Sequence, residues 1–321
     1  MNLIKHRYLY FGISLLVIIP GIIALILWGL NPGIDFTGGS LLEVQFASGK
    51  TPTVAQVTAL YNDFSTPGSA LYTAGVNIAN PVVQPLGTDS LSIRSEEMND
   101  TVKSAVVAAL KAQYGGGKDV VIQDFTQVSA AVGKEVAVRA GEAVAAAAIV
   151  ILIYITFAFR KVPNAFRYGT AAIIAMVHDI LVTVGAEALL GHFLGWQADS
   201  LFLTALLTII GFSVHDTIVV FDRIRENSNL YRRVEYETVV NHSIVQTLDR
   251  SINTQLTVMM TLLALALFGG TSIRHFVVIL LIGVFSGTYS SIFNASPILV
   301  VWENREWTKW FRPKDKQITA S

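Results

Sequence analysis

No cysteine occurs among the 321 residues, which excludes disulfides, thiolate metal sites and a cysteine nucleophile. Charge is scarce: 14% of the residues are Asp, Glu, Lys or Arg, and 23 acidic side chains cancel 23 basic ones. A chain with no basic excess has no general electrostatic hold on nucleic acid. The phosphate-cradling pattern G-x-x-x-x-G-K-[ST] is missing too, because Gly117-Lys118 and Gly133-Lys134 have Ala112 and Val128 where the leading glycine belongs; this excludes ATP hydrolysis at such a loop. There is no G-x-S-x-G elbow and no base placed to activate a serine. The chain is expected to be no enzyme and to hold no cofactor or metal.

What is abundant is apolar surface, 52% of the residues. Six runs have the ~20-residue length that crosses ~30 Å of hydrocarbon: Tyr8–Leu30, Glu142–Phe159, Gly169–Leu190, Leu201–Phe221, Ile252–Phe268 and Phe276–Trp302. The first follows Lys5, His6 and Arg7 like a signal peptide, but its length and the lack of a small-x-small cleavage site predict a permanent anchor. Lys and Arg gather in segments that fall on one side: Lys5/Arg7, Arg160/Lys161/Arg167, Arg223/Arg225/Arg232/Arg233 and Arg305/Lys309/Arg312/Lys314. The positive-inside rule makes that side, and both termini, cytoplasmic.

The stretch from Asn31 to about residue 140 is polar and reads as a folded extracytoplasmic domain between the first two spans. Ser40–Phe46, Val82–Leu86, Ser90–Arg94 and Val120–Thr126 have strand composition, and Val54–Phe64 and Glu97–Tyr114 have helical spacing. The order β-α-β-β-α-β predicts a ferredoxin-like α+β sandwich. Gly115-Gly116-Gly117 stops the second helix, and Val132, Val136 and Ala140 predict another leading into the second span. The organisation is thus residues 1–30 (N-terminus and first span), 31–140 (external domain), 141–302 (spans two to six) and 303–321 (cytoplasmic tail). Gly33, Gly38, Gly39 and Gly141 mark its two connections to the membrane region, as turns or as a hinge.

Ionisable groups inside a span are costly and therefore functional candidates. His178, Asp179 and Glu187 sit in the third, His215 and Asp216 in the fourth, and Arg250 at the entry to the fifth. Asp216 lies about 9 Å inside the cytoplasmic end of its helix. Arg250 begins the next span on that side, within reach of Asp216 by its long side chain. An opposite charge favours the ionised carboxylate and burial the protonated one, a competition that makes a carboxyl switchable. Ser213 and Thr217 share the Asp216 surface, beside Thr208, Gly211 and His215. Such a stripe lines a wet path or glues helices together. Neighbouring helical residues point about 100° apart, which disfavours a metal at either His-Asp pair. Gly283-x-x-x-Gly287 and Ser286-x-x-x-Ser290 permit close helix packing, either within the chain or against a second subunit.

These residues, taken together, resemble the SecF family, the smaller half of the bacterial SecD–SecF pair within the resistance–nodulation–division superfamily. The resemblance runs the full length. It rests on Gly33-Ile34-Asp35-Phe36-Thr37-Gly38-Gly39, on Val132-Gly133-Lys134-Glu135-Val136, on His178-Asp179, on the long run Gly211 to Asn227 containing Ser213-Val214-His215-Asp216-Thr217, and on Thr247-Leu248-Asp249-Arg250-Ser251-Ile252. It implies a subunit of the bacterial inner membrane that joins a SecD-like chain to form twelve spans, contacts membrane lipid, and uses the proton-motive force to help preproteins through the SecYEG channel after the SecA ATPase. It implies proton transfer at Asp216, modulated by Arg250; His178, Asp179, His215, Ser213 and Thr217 are, on the residues alone, candidates for a secondary polar membrane site. His215 stands where the family often has Asn, a departure that alters the tuning of Asp216. Competing expectations are a subunit of a proton-driven small-molecule exporter, whose chains typically carry two large external domains, and a purely structural assembly subunit.

Overall fold

A computed structural model describes residues 2–46, 51–114, 120–160 and 165–306. Gly115-Gly116-Gly117, Lys161, Lys309, Arg312 and Lys314, used above, lie outside the described residues. Among the described residues, six helical segments are long and apolar enough to cross a membrane: Ile4–Leu27, Ala130–Ala158, Ala165–Leu194, Ser200–Leu230, Tyr236–Phe268 and Ile273–Glu303. Each expected span falls inside or largely inside one of them. The helices overrun the apolar runs because polar turns beyond the hydrocarbon continue to hydrogen bond as helix.

Between the first two spans, β1 (Gly39–Phe46), β2 (Val82–Pro85), β3 (Ser90–Ser95) and β4 (Val120–Val128) form an antiparallel sheet in the order β2-β3-β1-β4. The chain enters through α1 (Arg7–Leu27) and the short α2 (Ile34–Thr37), and α3 (Val54–Ser65) and α4 (Asp100–Tyr114) pack on the sheet. This is the β-α-β-β-α-β order expected from the sequence. Alternation on β1 sends Leu42, Val44 and Phe46 into a core with Tyr61, Ile93 and Val106, while Leu41 and Glu43 take the other face. Thr53 starts α3 with a capping box: its Oγ accepts from Gln56 N (3.3 Å) and Gln56 Oε1 accepts from Thr53 N (2.8 Å).

The membrane helices are α1, α5 (Ala130–Ala158), α6 (Ala165–Leu194), α7 (Ser200–Leu230), α8 (Tyr236–Phe268) and α9 (Thr271–Ser290), the last continuing through a π-helical turn (Ser291–Ala295) into α10 (Ser296–Glu303). α6, α7 and the α9–α10 rod form the centre; α1, α5 and α8 are peripheral. α1 crosses α6 at Gly21 and Gly185, where a Cβ on Gly185 would lie 2.6 Å from the Gly21 Cα, so only paired glycines permit this approach. Gly287 is likewise used within the chain, since a Cβ there would lie 3.2 Å from Ser213 Cβ on α7.

The free face of the sheet lies over the domain-side ends of the membrane helices. The Arg94 guanidinium donates to Pro32 O, the Gln84 side chain donates to Gly195 O, and the backbone joins Gly33 N to Ala198 O (2.6 Å) and Ala198 N to Asn31 O (2.8 Å). Gly38 (φ 78°) and Gly39 (φ 123°) adopt conformations that L-residues avoid. Each also passes against neighbouring backbone: a Cβ on Gly38 would lie 2.5 Å from Ala130 Cα, and one on Gly133 would lie 2.6 Å from Gly38 N. Gly141, by contrast, lies inside α5 with open space around it, so it forms no turn.

Candidate functional site

Along α6, small residues at Ala171, Ala172 and Ala175 let α7 and α9 come close, and the next position on that face is Asp179, 0% exposed. Its carboxylate gathers donors from three helices. Ser213 Oγ (2.5 Å, α7) and Ser290 Oγ (2.6 Å, α9) donate to Oδ2; Ser286 Oγ donates to Oδ1 (2.6 Å, α9), and His178 Nδ1 lies 3.0 Å from Oδ1. The Ser286-x-x-x-Ser290 pattern therefore supplies hydroxyls four residues apart, one turn along the same face of α9, both reaching one carboxylate. Such charge-assisted bonds from several elements make Asp179 the polar hub of the bundle.

Asp216, one turn beyond Ser213 on α7 and 4% exposed, is held differently. Its Oδ2 accepts from the Gln255 side-chain amide on α8. Beside it, Thr217 Oγ lies 2.9 Å from Ser291 Oγ, and Ser291 Oγ donates to Gly287 O (2.8 Å) and Ser213 O (3.1 Å). Ser291 reaches α7 because the π-helical turn begins at that residue, and such turns occur often at functional sites. Hydroxyls thus link the surroundings of Asp216 to the Asp179 hub, while Gln255 Oε1 and Ser251 Oγ, both buried on α8, have no hydrogen-bond partner among the described residues.

The sequence-predicted residues separate into two groups. Asp216, Ser213, Thr217, Asp179 and His178 come together in the bundle centre. His215 and Arg250 are exposed on the outer surfaces of α7 and α8, and among the described residues no ion pair joins Arg250 to Asp216. The expected Arg250–Asp216 contact is replaced by Gln255 for a geometric reason. Gln255 follows Arg250 by about 140° around the helix, so when Gln255 and Ser251 face Asp216, Arg250 faces away. Sequence reasoning passed over Gln255 because it ranked groups by ionisability; a buried amide beside Ser251 in an otherwise apolar helix was the available signal.

Comparison with known proteins decides the family. Residues 106–305 match the family described as protein export membrane protein SecD/SecF, C-terminal, and residues 29–49 match the SecD/SecF GG motif. Protein translocase subunit SecF of Anaerolinea thermophila is 51% identical over 100% of both chains, and that of Thermobaculum terrenum is 48% identical over 100% of both. The chain belongs to the SecF family. Among solved structures it is similar to SecDF of Thermus thermophilus, described as a translocon-associated membrane protein, with a TM-score of 0.81 and 29% identity over 95% of this chain. Against SecDF in a super-membrane-facing form the TM-score is 0.61, with 26% identity over 97% of this chain. The chain spans 39% and 40% of the length of these two SecDF chains. The GG motif has a clear structural reason in this SecF-family chain: Gly38 and Gly39 carry the main chain through a positive-φ passage between Ala130 of α5 and Ser95 of β3.

One further surface bears on the site. Thr204 and His215 on α7, and Asn253, Thr257 and Thr261 on α8, are exposed at membrane depth. The threonine hydroxyls bond back to carbonyls in their own helices, as Thr257 Oγ does to Asn253 O (2.9 Å). Polar and small residues on the outside of a membrane bundle mark a face that packs against other helices.

Proposed function

We propose that this chain is the SecF subunit of a SecD–SecF complex of the bacterial inner membrane that uses the proton-motive force to assist preprotein movement through the SecYEG channel. The observation that carries the proton role is the contrast between the two buried carboxyls. Asp179 is saturated by donors from three helices, whereas Asp216 takes one amide bond, from Gln255, whose own Oε1 is buried with no partner among the described residues. A proton added to Asp179 displaces a donor from a complete network; a proton added to Asp216 disturbs one bond. Asp216 is therefore the exchanging group and Asp179 the fixed hub.

The polar face of α7 and α8 is where a SecD-like half docks, which places Asp216, behind His215, close to the joint between the halves. Arg250 acts as a modulator that approaches the carboxylate when α8 rotates and Gln255 withdraws. Apart from the O–H bond of the exchanged proton, no covalent bond is made or broken; the work is conformational. Both termini lie in the cytoplasm and the sheet domain outside it, so a reporter at Ser228 is accessible from the cytoplasm and one at Tyr72 from the other side.

The test is export by the reconstituted complex with and without a proton gradient. Asp216→Asn preserves size and polarity but carries no exchangeable acid proton, and it should remove the gradient-dependent part of export while the assembled complex persists. Full gradient-dependent activity in that variant overturns the assignment.

A further inference from the structure

Proton exchange at Asp216 leaves another buried carboxyl without a role. Glu187 lies about 12 Å beyond Asp179 on α6, toward the domain side, and is 1% exposed. Thr183, fully buried, stands between them on the same face, its hydroxyl donating to Asp179 O (2.8 Å). Glu187 Oε2 is 2.7 Å from His275 Nε2 near the start of α9, and Glu187 Oε1 is buried with no partner among the described residues. A purely structural ion pair with one bare carboxylate oxygen in a span is a poor stabilising device, because the desolvation of that oxygen is uncompensated.

His275 gives this carboxyl an outlet. It lines a polar cleft of about 210 Å³ between the free face of the sheet and the helix ends, next to Trp196, whose ring centroid is 4.8 Å from the imidazole. The other charged groups facing that cleft are Glu43 from β1, Asp199 at the start of α7 and Arg274 of α9. His192, the remaining ionisable side chain of this α6 end, is turned to α1 and stacks on Trp28 at 4.0 Å.

We propose that Glu187 and His275 form a proton-binding site at the domain-side end of the membrane region, loaded from the cleft beneath the sheet. His275 takes up a proton from the cleft to become imidazolium. It passes its Nε2 proton to Glu187 Oε2, which leaves a neutral imidazole protonated on Nδ1 and an uncharged glutamic acid. One proton has then moved from the cleft into the bundle, and no other bond changes. The position of Glu187 on the face that also carries Thr183 and Asp179 points the stored proton toward the polar centre. As the entry end of a proton route the site rests on the function proposed above; as a titrating pair it does not.

The experiment uses the full chain in lipid bilayers with glutamate carboxyl groups labelled with carbon-13. Stepping the pH between about 5 and 8, the range in which histidine-linked sites exchange protons, should produce an infrared band of a protonated, labelled carboxyl. Measured on a Glu43→Gln background, which removes the glutamate that burial and Asp124 raise in the same cleft, the band should vanish in Glu187→Gln and persist in Asp179→Asn. In Glu187→Gln, where His275 has no carboxylate to pass its proton to, the same acid step should quench the Trp196 contribution to fluorescence, isolated by difference from Trp196→Phe, because an imidazolium quenches an adjacent indole 4.8 Å away; the quench should be absent in His275→Asn. In the reconstituted complex with its SecD-like partner, Glu187→Gln and His275→Asn should each lower gradient-driven export at least about threefold. Absence of the labelled band from the unaltered chain overturns the proposal, and so does its survival in Glu187→Gln. If the band titrates as expected while Asp216→Asn exports normally, the pair stands and the functional proposal fails. If Asp216→Asn is inactive and the band is absent, the reverse holds.

Discussion

Asp179→Asn tests whether Asp179 rather than Asp216 is the structural hub of the bundle. In the parent, both carboxylate oxygens accept, and the three serine donors lie 2.5, 2.6 and 2.6 Å away. Hydrogen bonds between membrane helices average about 0.6 kcal/mol and reach about 1.7, because the membrane-embedded unfolded state finds partners of its own. The three hydroxyls together therefore contribute about 2–5 kcal/mol. An amide turns one acceptor into a donor facing other donors, so about half of that should be lost, roughly 1–3 kcal/mol. Asp216→Asn disturbs the single Gln255 bond and should cost about 0.6 kcal/mol. The assay is unfolding of the purified full chain in mixed detergent micelles, followed by loss of helical circular dichroism. Ser286→Ala and Ser290→Ala, alone and combined with Asp179→Asn, complete the cycles. Ser286→Ala should have little further effect once the carboxylate is gone. If Asp179→Asn falls within about 0.5 kcal/mol of the parent, the usual tolerance of additivity, or if Asp216→Asn is the more damaging, the reasoning is refuted.

Gly133→Ala should loosen the seat of the external domain, because its Cβ would lie 2.6 Å from Gly38 N; an overpacking cost of about 1–3 kcal/mol is expected, seen as faster hydrogen exchange at the α2–α5 junction. Glu43 is raised above the usual carboxylate range by burial and by Asp124, its cross-strand partner. A carboxyl raised in the folded state favours folding most at low pH, and that contribution is lost as pH rises through the folded value; Glu43→Gln should therefore slow exchange of β1 and β4 amides at neutral pH more than at pH 4. Burial pushes Glu306 up, but hydrogen bonds from Arg7 and Tyr8 outweigh it and hold the carboxyl below its ordinary value. The Arg7–Glu306 clasp (2.6 Å) should accordingly be intact at neutral pH and weaken as the pH falls through that lowered value, and Arg7→Ala should speed proteolysis after Glu303.

Much of this architecture was legible in the sequence, because a span is a long apolar run and a strand alternates. The edges of β1 and α3 fall within a residue or two of the periodicity. The α2 turn was missed: four residues carry too little pattern to register. The π-helical turn at Ser291–Ala295 was also missed, since it arises from packing against α7 and α1 rather than from composition. Within the site, ionisability located Asp179, Asp216 and Glu187, and His178 and Ser213 were named beside them, but which side chains each carboxyl would take as partners was not legible. Gln255, Ser286, Ser290 and His275 are ordinary residues one at a time, and they acquire roles only when separate helices bring them to a carboxyl. Arg250 was paired with Asp216 by proximity along the chain, and the helical phase of α8 undid the pairing.

α5 is a single helix of 29 residues, about 43 Å long. Its most apolar stretch has no buried position, yet both ends are fixed: Gly133 is wedged against the turn at Gly38, and Phe159, just past the other end, stacks on Tyr168 at 5.2 Å. An unbroken helix in contact with the external domain at one end and with α6 at the other couples the two contacts mechanically. A tilt of about 5° applied where it meets the external domain displaces the opposite end by about 4 Å. A shift of the sheet at the Gly38–Gly133 contact would therefore be felt at the Phe159–Tyr168 stack, because α5 is one continuous helix between them.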